Sequence, residues 1–113
     1  MSLDVLRFTA RKIVDQLAHG DIELLLSQCA KSRLTCEDLH RIIRNYGRNL
    51  VPPPSDDVET LDAIEVKGAT LPTWSVRVPL WTKEEGRSDL TLELTIAVGT
   101  GNPIVELEDL HVL

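Results

Sequence analysis

Aromatic side chains are scarce in this 113-residue chain: one Tyr, one Phe and two Trp make up 4% of it. Stacking platforms for bases or sugars are correspondingly few. Apolar runs extend over only a few residues, so no segment can cross a bilayer as a helix. Basic residues are outnumbered, 12 Lys and Arg against 18 Asp and Glu, and a formal charge of -6 argues against general nucleic-acid affinity. The only cysteines, Cys29 and Cys36, stand seven apart with His40 one helical turn further on. A structural zinc site needs closer Cys spacing and four ligands, so the expectation is two reduced thiols at helix–helix contacts and no metal. A phosphate-cradling loop is missing too, because Gly99-Thr100-Gly101 joins two strands and opens no helix. Met1-Ser2-Leu3-Asp4-Val5-Leu6-Arg7 lacks a basic stretch followed by an apolar one, which points to a cytoplasmic bacterial protein, and the missing metal and phosphate motifs leave no cofactor expected.

What is present suits a folded domain. The chain is 42% hydrophobic and 27% charged, well away from disordered compositions. Its length fits a single domain over residues 1–113. Charge divides unevenly along it. Residues 1–50 carry eight basic and six acidic side chains, residues 51–113 four basic and twelve acidic. The acidity therefore belongs to the second half.

Hydrophobic spacing separates a helical front (1–50) from a stranded back (61–113). Val5, Leu6, Ala10, Ile13, Val14 and Leu17 recur at three- and four-residue steps, with Ser2 placed to cap the helix and Gly20 to stop it. Asp21 is placed to cap a second helix through Ile22, Leu24, Leu25, Leu26 and Cys29. Thr35-Cys36-Glu37-Asp38 reads as a capping box with Asp in place of Glu, opening a third helix with Leu39, Ile42, Ile43 and Tyr46 on its apolar face.

Pro52-Pro53-Pro54 ends the helical half and begins a rigid crossover over residues 51–60. Four alternating runs follow. Trp74, Val76, Val78 and Leu80 share one face, with Ser75, Arg77, Pro79 and Trp81 opposite. Leu90, Leu92, Leu94, Ile96 and Val98 form the cleanest inward set. In the last run Val105 and Leu107 are out of phase with Leu110 and Val112, which predicts a bulge near Glu108 and Asp109. Pro79 confines its strand to an edge or a bulge. The expected fold is α+β: three N-terminal helices packed on a bent four-stranded antiparallel sheet, a cone or roll.

The long first helix and the step Leu17-Ala18-His19-Gly20-Asp21-Ile22-Glu23-Leu24-Leu25 resemble the opening of nuclear transport factor 2-like (cystatin-like) cone domains. The tract from Tyr46 to Pro54, with Trp74 to Trp81 and the closing Glu108 to Leu113, also resembles a small bacterial domain family to which no activity is attached. The cone resemblance implies an isomerase- or dehydratase-like enzyme with an acid, Tyr or His in an apolar pocket between the first helix and the sheet. Tyr46 and Trp74 are the candidate pocket residues. The residues themselves supply no such constellation: His19 falls at a helix end, His40 beside Arg41 and Arg44, and His111 on an outward strand position.

Asp56, Asp57, Glu59 and Asp62 lack the Gly and the terminal Glu of a calcium loop and read as a solvated turn. The acidic back is the better functional lead. Glu84, Glu85, Asp89, Glu93, Glu106 and Glu108 fall in the last two hairpins, with Trp81 as an outward aromatic anchor. Such a field would steer a basic protein partner, as in immunity-type modules, while ordinary solubility accounts for the same charge more simply. A homodimer through the sheet is the other expected association.

Overall fold

The computed structural model describes residues 4–54 and 62–113. The expected cap Ser2, the turn at Ser55-Asp56-Asp57 and Glu59 lie outside the described residues. Among the described residues three helices form where the apolar spacing places them. Helix α1 (Asp4–Ala18) turns Leu6, Ala10, Ile13, Val14 and Leu17 into the core. Helix α2 (Ile22–Gln28) buries Ile22 and Leu25. Asp21 occupies its N-cap position but makes no side-chain capping bond. Helix α3 (Cys36–Tyr46) opens on a complete capping box: Thr35 Oγ1 accepts from the Asp38 N–H at 3.0 Å, and Asp38 Oδ2 accepts from the Thr35 N–H at 2.9 Å. It closes at Gly47, whose φ of 75° lies in the left-handed region that only glycine enters cheaply.

The sheet corrects the expected four antiparallel strands. Among the described residues it has six: β1 (Lys31–Ser32), β2 (Leu50–Val51), β3 (Asp62–Val66), β4 (Thr73–Thr82), β5 (Gly86–Ala97) and β6 (Ile104–Val112). Their order is β1-β6-β5-β4-β2, with β3 also paired to β4. Strand β1 lies between α2 and α3 in the chain and runs parallel to β6, so the sheet is mixed and the helices are not one uninterrupted block. Strands β1 and β2 are two residues each, too short for alternation to show. Backbone pairing recruits β1: Ala30 N–H donates to Val105 O at 2.7 Å and Arg33 N–H to Leu107 O at 2.9 Å. Strands β2 and β3 share one side of β4, β3 along Thr73 to Arg77 and β2 at Trp81 and Thr82.

Two bulges curl this sheet. In β6, Leu107 stands opposite Leu94 and Asp109 opposite Glu93, which leaves Glu108 as the extra residue at the site its sequence phase marks. Between β4 and β5 the register slips from Pro79↔Thr91 to Trp81↔Arg87. Pro79, which has no N–H for a ladder, sits at that slip. Ser88 repairs it, its Oγ donating to Leu80 O at 2.8 Å and accepting from the Leu90 N–H at 3.2 Å.

The helices cover one face, α1 against β2 and β4 and α3 against β6. That inner face carries Val76, Leu80, Leu90, Leu92, Leu94, Ile96, Leu107 and Leu110, all buried. Burial of each such side chain contributes about 1.5–3 kcal/mol relative to exposure. Among the described residues, those buried with polar side chains are Thr9, Thr82, Ser88 and Thr91, none of them a carboxylate or a histidine. Cys29 and Cys36 are unpaired thiols packed half-buried against the core. Burial pushes the Cys29 thiol up, away from the reactive thiolate.

Candidate functional site

Strand pairing assembles a charged row on the outer face of the sheet. Asp62 of β3 stands opposite Arg77 of β4, Arg77 opposite Glu93 of β5, and Glu93 opposite Asp109 of β6. Directly opposed residues project to the same side, so four strands contribute one row. The extra residue at Glu108 makes the row possible. Without it Asp109 would fall on the core face with Leu107; with it, Glu106, Glu108, Asp109 and His111 all face outward and Leu110 returns to the core.

Hydrogen bonds knit this face together. Arg77 Nε donates to Glu93 Oε1 at 2.8 Å. Glu108 accepts from Arg33 Nε at 2.8 Å and from Thr95 Oγ1 at 2.7 Å. His111 Nδ1 lies 3.2 Å from Asp109 Oδ2 and 3.7 Å from Glu93 Oε2. In the β1–β6 pairing, Lys31 stands beside Glu106. Arg33, Arg77 and Lys31 therefore offset part of the acidity on which the sequence reading rests. The carboxylates still outnumber the cations on this face.

The other candidate partner-binding residues sit elsewhere. Glu84 and Glu85 lie in the turn between β4 and β5, several residues along the strands from Glu93, and both are engaged within the fold. Glu84 accepts from the Asn49 backbone N–H at 2.9 Å and from Asn49 Nδ2 at 2.7 Å. Those bonds, the backbone one first, hold its carboxyl below the usual range. Glu85 accepts from the Tyr46 hydroxyl at 2.9 Å. Asp89 is exposed in β5 near the bulge, its carbonyl accepting from the Leu113 N–H. Trp81 is half-buried at the same end of the sheet, close enough to Gly86 that a Cβ there would lie 3.7 Å from its ring. The acidic residues thus form two groups, one on the sheet face and one fastening the hairpin to the end of α3.

The candidate pocket residues do not meet. Tyr46 contacts the turn that follows Thr82, whereas Trp74 pairs with Ile96 and Glu65 near the start of β4. At about 3.3 Å per residue the strand between them spans roughly 25 Å. A cleft of about 550 Å³ does exist between α1 and the start of β6, where Val105 pairs with Ile96. Val5, Phe8, Ile13, Pro103 and Val105 line it, and Phe8 is 74% exposed. Its charged residues, Asp4 and Lys12, are both exposed.

Strand alternation places His111 outward, but sequence spacing assigns it no carboxylate partner. Glu93 is 18 residues away in the chain and becomes its neighbour only through strand register, which the bulge sets. The phase change at Glu108 was the one available signal.

A family model described as Domain of unknown function (DUF7668) matches residues 14–113. Comparisons with curated proteins and with solved structures return no match. The matched stretch takes in every strand, α2, α3 and the whole outer sheet face, and starts after the α1 residues that line the cleft. On that match the chain belongs to the DUF7668 family, a domain of unknown function.

Proposed function

We propose that the protein is a non-catalytic binding module that docks a basic protein on the outer face of its sheet. The observation that carries this reading is the bulge at Glu108, which gathers Glu93, Glu106, Glu108 and Asp109 onto one rigid surface. Acidic side chains fixed on strands attract a cationic partner at long range and set its register on contact. The inner face supports the same reading, since Leu, Ile and Val side chains fill the interior where α1 packs on β2 and β4, the cleft lying instead at the start of β6. The long first helix against a curled sheet is in keeping with the resemblance to nuclear transport factor 2-like cone domains, and a cytoplasmic setting suits the two free thiols.

The test is capture from the native host with wild type and with a Glu106→Lys/Glu108→Lys variant of matched thermal stability. A basic protein retained by wild type in low salt, released by high salt and missed by the variant is the expected result. Equal retention by both proteins would overturn the reading, as would recovery of no basic protein.

One observation favours a second reading, a small-molecule site: the apolar cleft beside Phe8. Its volume lies in the range of ligand sites. Its exposed Asp4 and Lys12 do not provide the desolvated acid that an isomerase or dehydratase needs. Self-association through the sheet is a third arrangement, decided by light scattering of wild type against Trp81→Glu.

A further inference from the structure

We propose that Glu93, Asp109 and His111 form a binding site for one divalent transition-metal ion of the zinc class. The site is independent of the docking reading above, although it occupies the same face. Among the described residues these three place one ligand atom each within 4.8 Å of one another.

Three features of the geometry point to a cation. The first is spacing. His111 Nδ1 lies 3.2 Å from Asp109 Oδ2 and 3.7 Å from Glu93 Oε2. Metal–ligand bonds of about 2.0–2.2 Å make the edge of a tetrahedron roughly 3.3–3.6 Å long, so both separations sit close to such an edge. The second is the state of the imidazole. His111 Nδ1 is buried and makes no hydrogen bond, despite two carboxylates beside it. A buried ring nitrogen close to two carboxylate oxygens, without a hydrogen bond of acceptable geometry to either, is placed as a ligand would be. The third is orientation. Each carboxylate has its second oxygen held: Glu93 Oε1 by Arg77 Nε at 2.8 Å, and Asp109 Oδ1 by the Leu110 N–H at 2.8 Å. Outer partners of this kind fix the free oxygens in place and are a general feature of metal sites.

The electrostatics agree. Glu93 and Asp109 are like charges directly opposite on neighbouring strands, a destabilising pairing that Arg77 offsets from the Glu93 side and a bound cation would offset from both. One imidazole nitrogen with two carboxylate oxygens suits zinc, cobalt or nickel better than calcium or magnesium, which take more oxygens and little nitrogen. Three protein ligands leave the fourth position to water or to a side chain of a docked partner.

The experiment uses the full chain, stripped with chelator and titrated with zinc chloride alone by calorimetry, and with cobalt chloride by visible absorption. Expected are one ion per chain, affinity in the micromolar range, and a tetrahedral cobalt spectrum without a thiolate charge-transfer band. His111→Ala and Asp109→Asn each remove a ligand and should weaken zinc binding by at least the roughly 10–100-fold that loss of an outer-shell partner costs. All three positions are on the outer face, and circular dichroism with thermal melts in chelator establishes that the variants fold. Unchanged stoichiometry in a Glu93→Gln/Asp109→Asn/His111→Ala variant would overturn the assignment. So would a thiolate band, which would move the ion to Cys29 and Cys36, or binding that appears only at millimolar zinc.

Discussion

The Tyr46 hydroxyl donates to Glu85 Oε1 at 2.9 Å, tying the last side chain of α3 to the turn between β4 and β5. The same oxygen accepts from Thr82 Oγ1 at 3.2 Å. Burial first, and the bond to Glu85 second, push the Tyr46 hydroxyl above the usual phenol range. Tyr46→Phe should cost about 1 kcal/mol in urea unfolding, the net worth of one such bond. The fold favours the protonated phenol, so this contribution is complete below the unfolded value of 10.0 and is lost as pH rises through the higher folded value. The difference in thermal midpoint between wild type and Tyr46→Phe should therefore shrink above pH 10. A constant difference would show that the hydroxyl is not what stabilises this contact.

The capping box of α3 makes a prediction at the other end of the pH scale. Thr35→Ala should lose about 1 kcal/mol, as N-cap truncations do. The Thr35 backbone N–H and then its hydroxyl, with Arg41 behind them, hold the Asp38 carboxyl below its ordinary value of 3.8. A depressed folded value means stability that is present above the unfolded value and is lost as pH falls through the folded one. Asp38→Asn should accordingly flatten the acid limb of a stability–pH curve between pH 5 and 2 relative to wild type. A parallel acid limb would rule the capping carboxylate out as its source.

Ser88 bridges the β4–β5 slip with two hydrogen bonds while only 6% exposed. Ser88→Ala removes both without changing the shape of the core. The expected loss is about 1–3 kcal/mol, because buried partners are left behind. Denaturant unfolding measures it, and a loss within experimental error would mean that the strands re-register to restore the ladder.

Leu94 lies at the centre of the inner face and is fully buried. Leu94→Ala should cost about 2–5 kcal/mol through lost transfer energy and the cavity left behind. Against the 5–15 kcal/mol usual for a small domain, that is enough to lower the melting temperature by many degrees. A calorimetric shift of only a degree or two would show that the sheet closes over the gap.

The same inner-face leucines show which parts of the fold were legible in the sequence. Strict alternation from Leu90 to Ile96 placed four fully buried residues correctly. The capping box at Thr35, the left-handed stop at Gly47, the slip at Pro79 and the bulge at Glu108 also followed from local chemistry. Strands β1 and β2 did not, because two residues have no period and their pairing is decided by distant backbone groups. Asp21 shows the limit of residue identity, since a good capping residue at the right position makes no side-chain bond. The charged row on the outer face was half legible. Its outward residues could be named, but which cation meets which carboxylate depends on the register between strands many residues apart. Glu84 and Glu85 illustrate the difference: composition groups them with Glu93 and Glu106, whereas their bonds to Asn49 and Tyr46 place them in a separate structural joint.

Strand β1 has a consequence for how the protein keeps to itself. Strand β6 closes one side of the long hairpin sheet, and its outer row of N–H and C=O groups would serve as a template for a foreign strand. Lys31 and Ser32 occupy part of that row, in parallel, and Arg33 anchors them by its ion pair with Glu108. Two residues and one guanidinium thus act as an edge guard, and weakening them would open β6 to domain swapping and fibrous aggregation without disturbing the core.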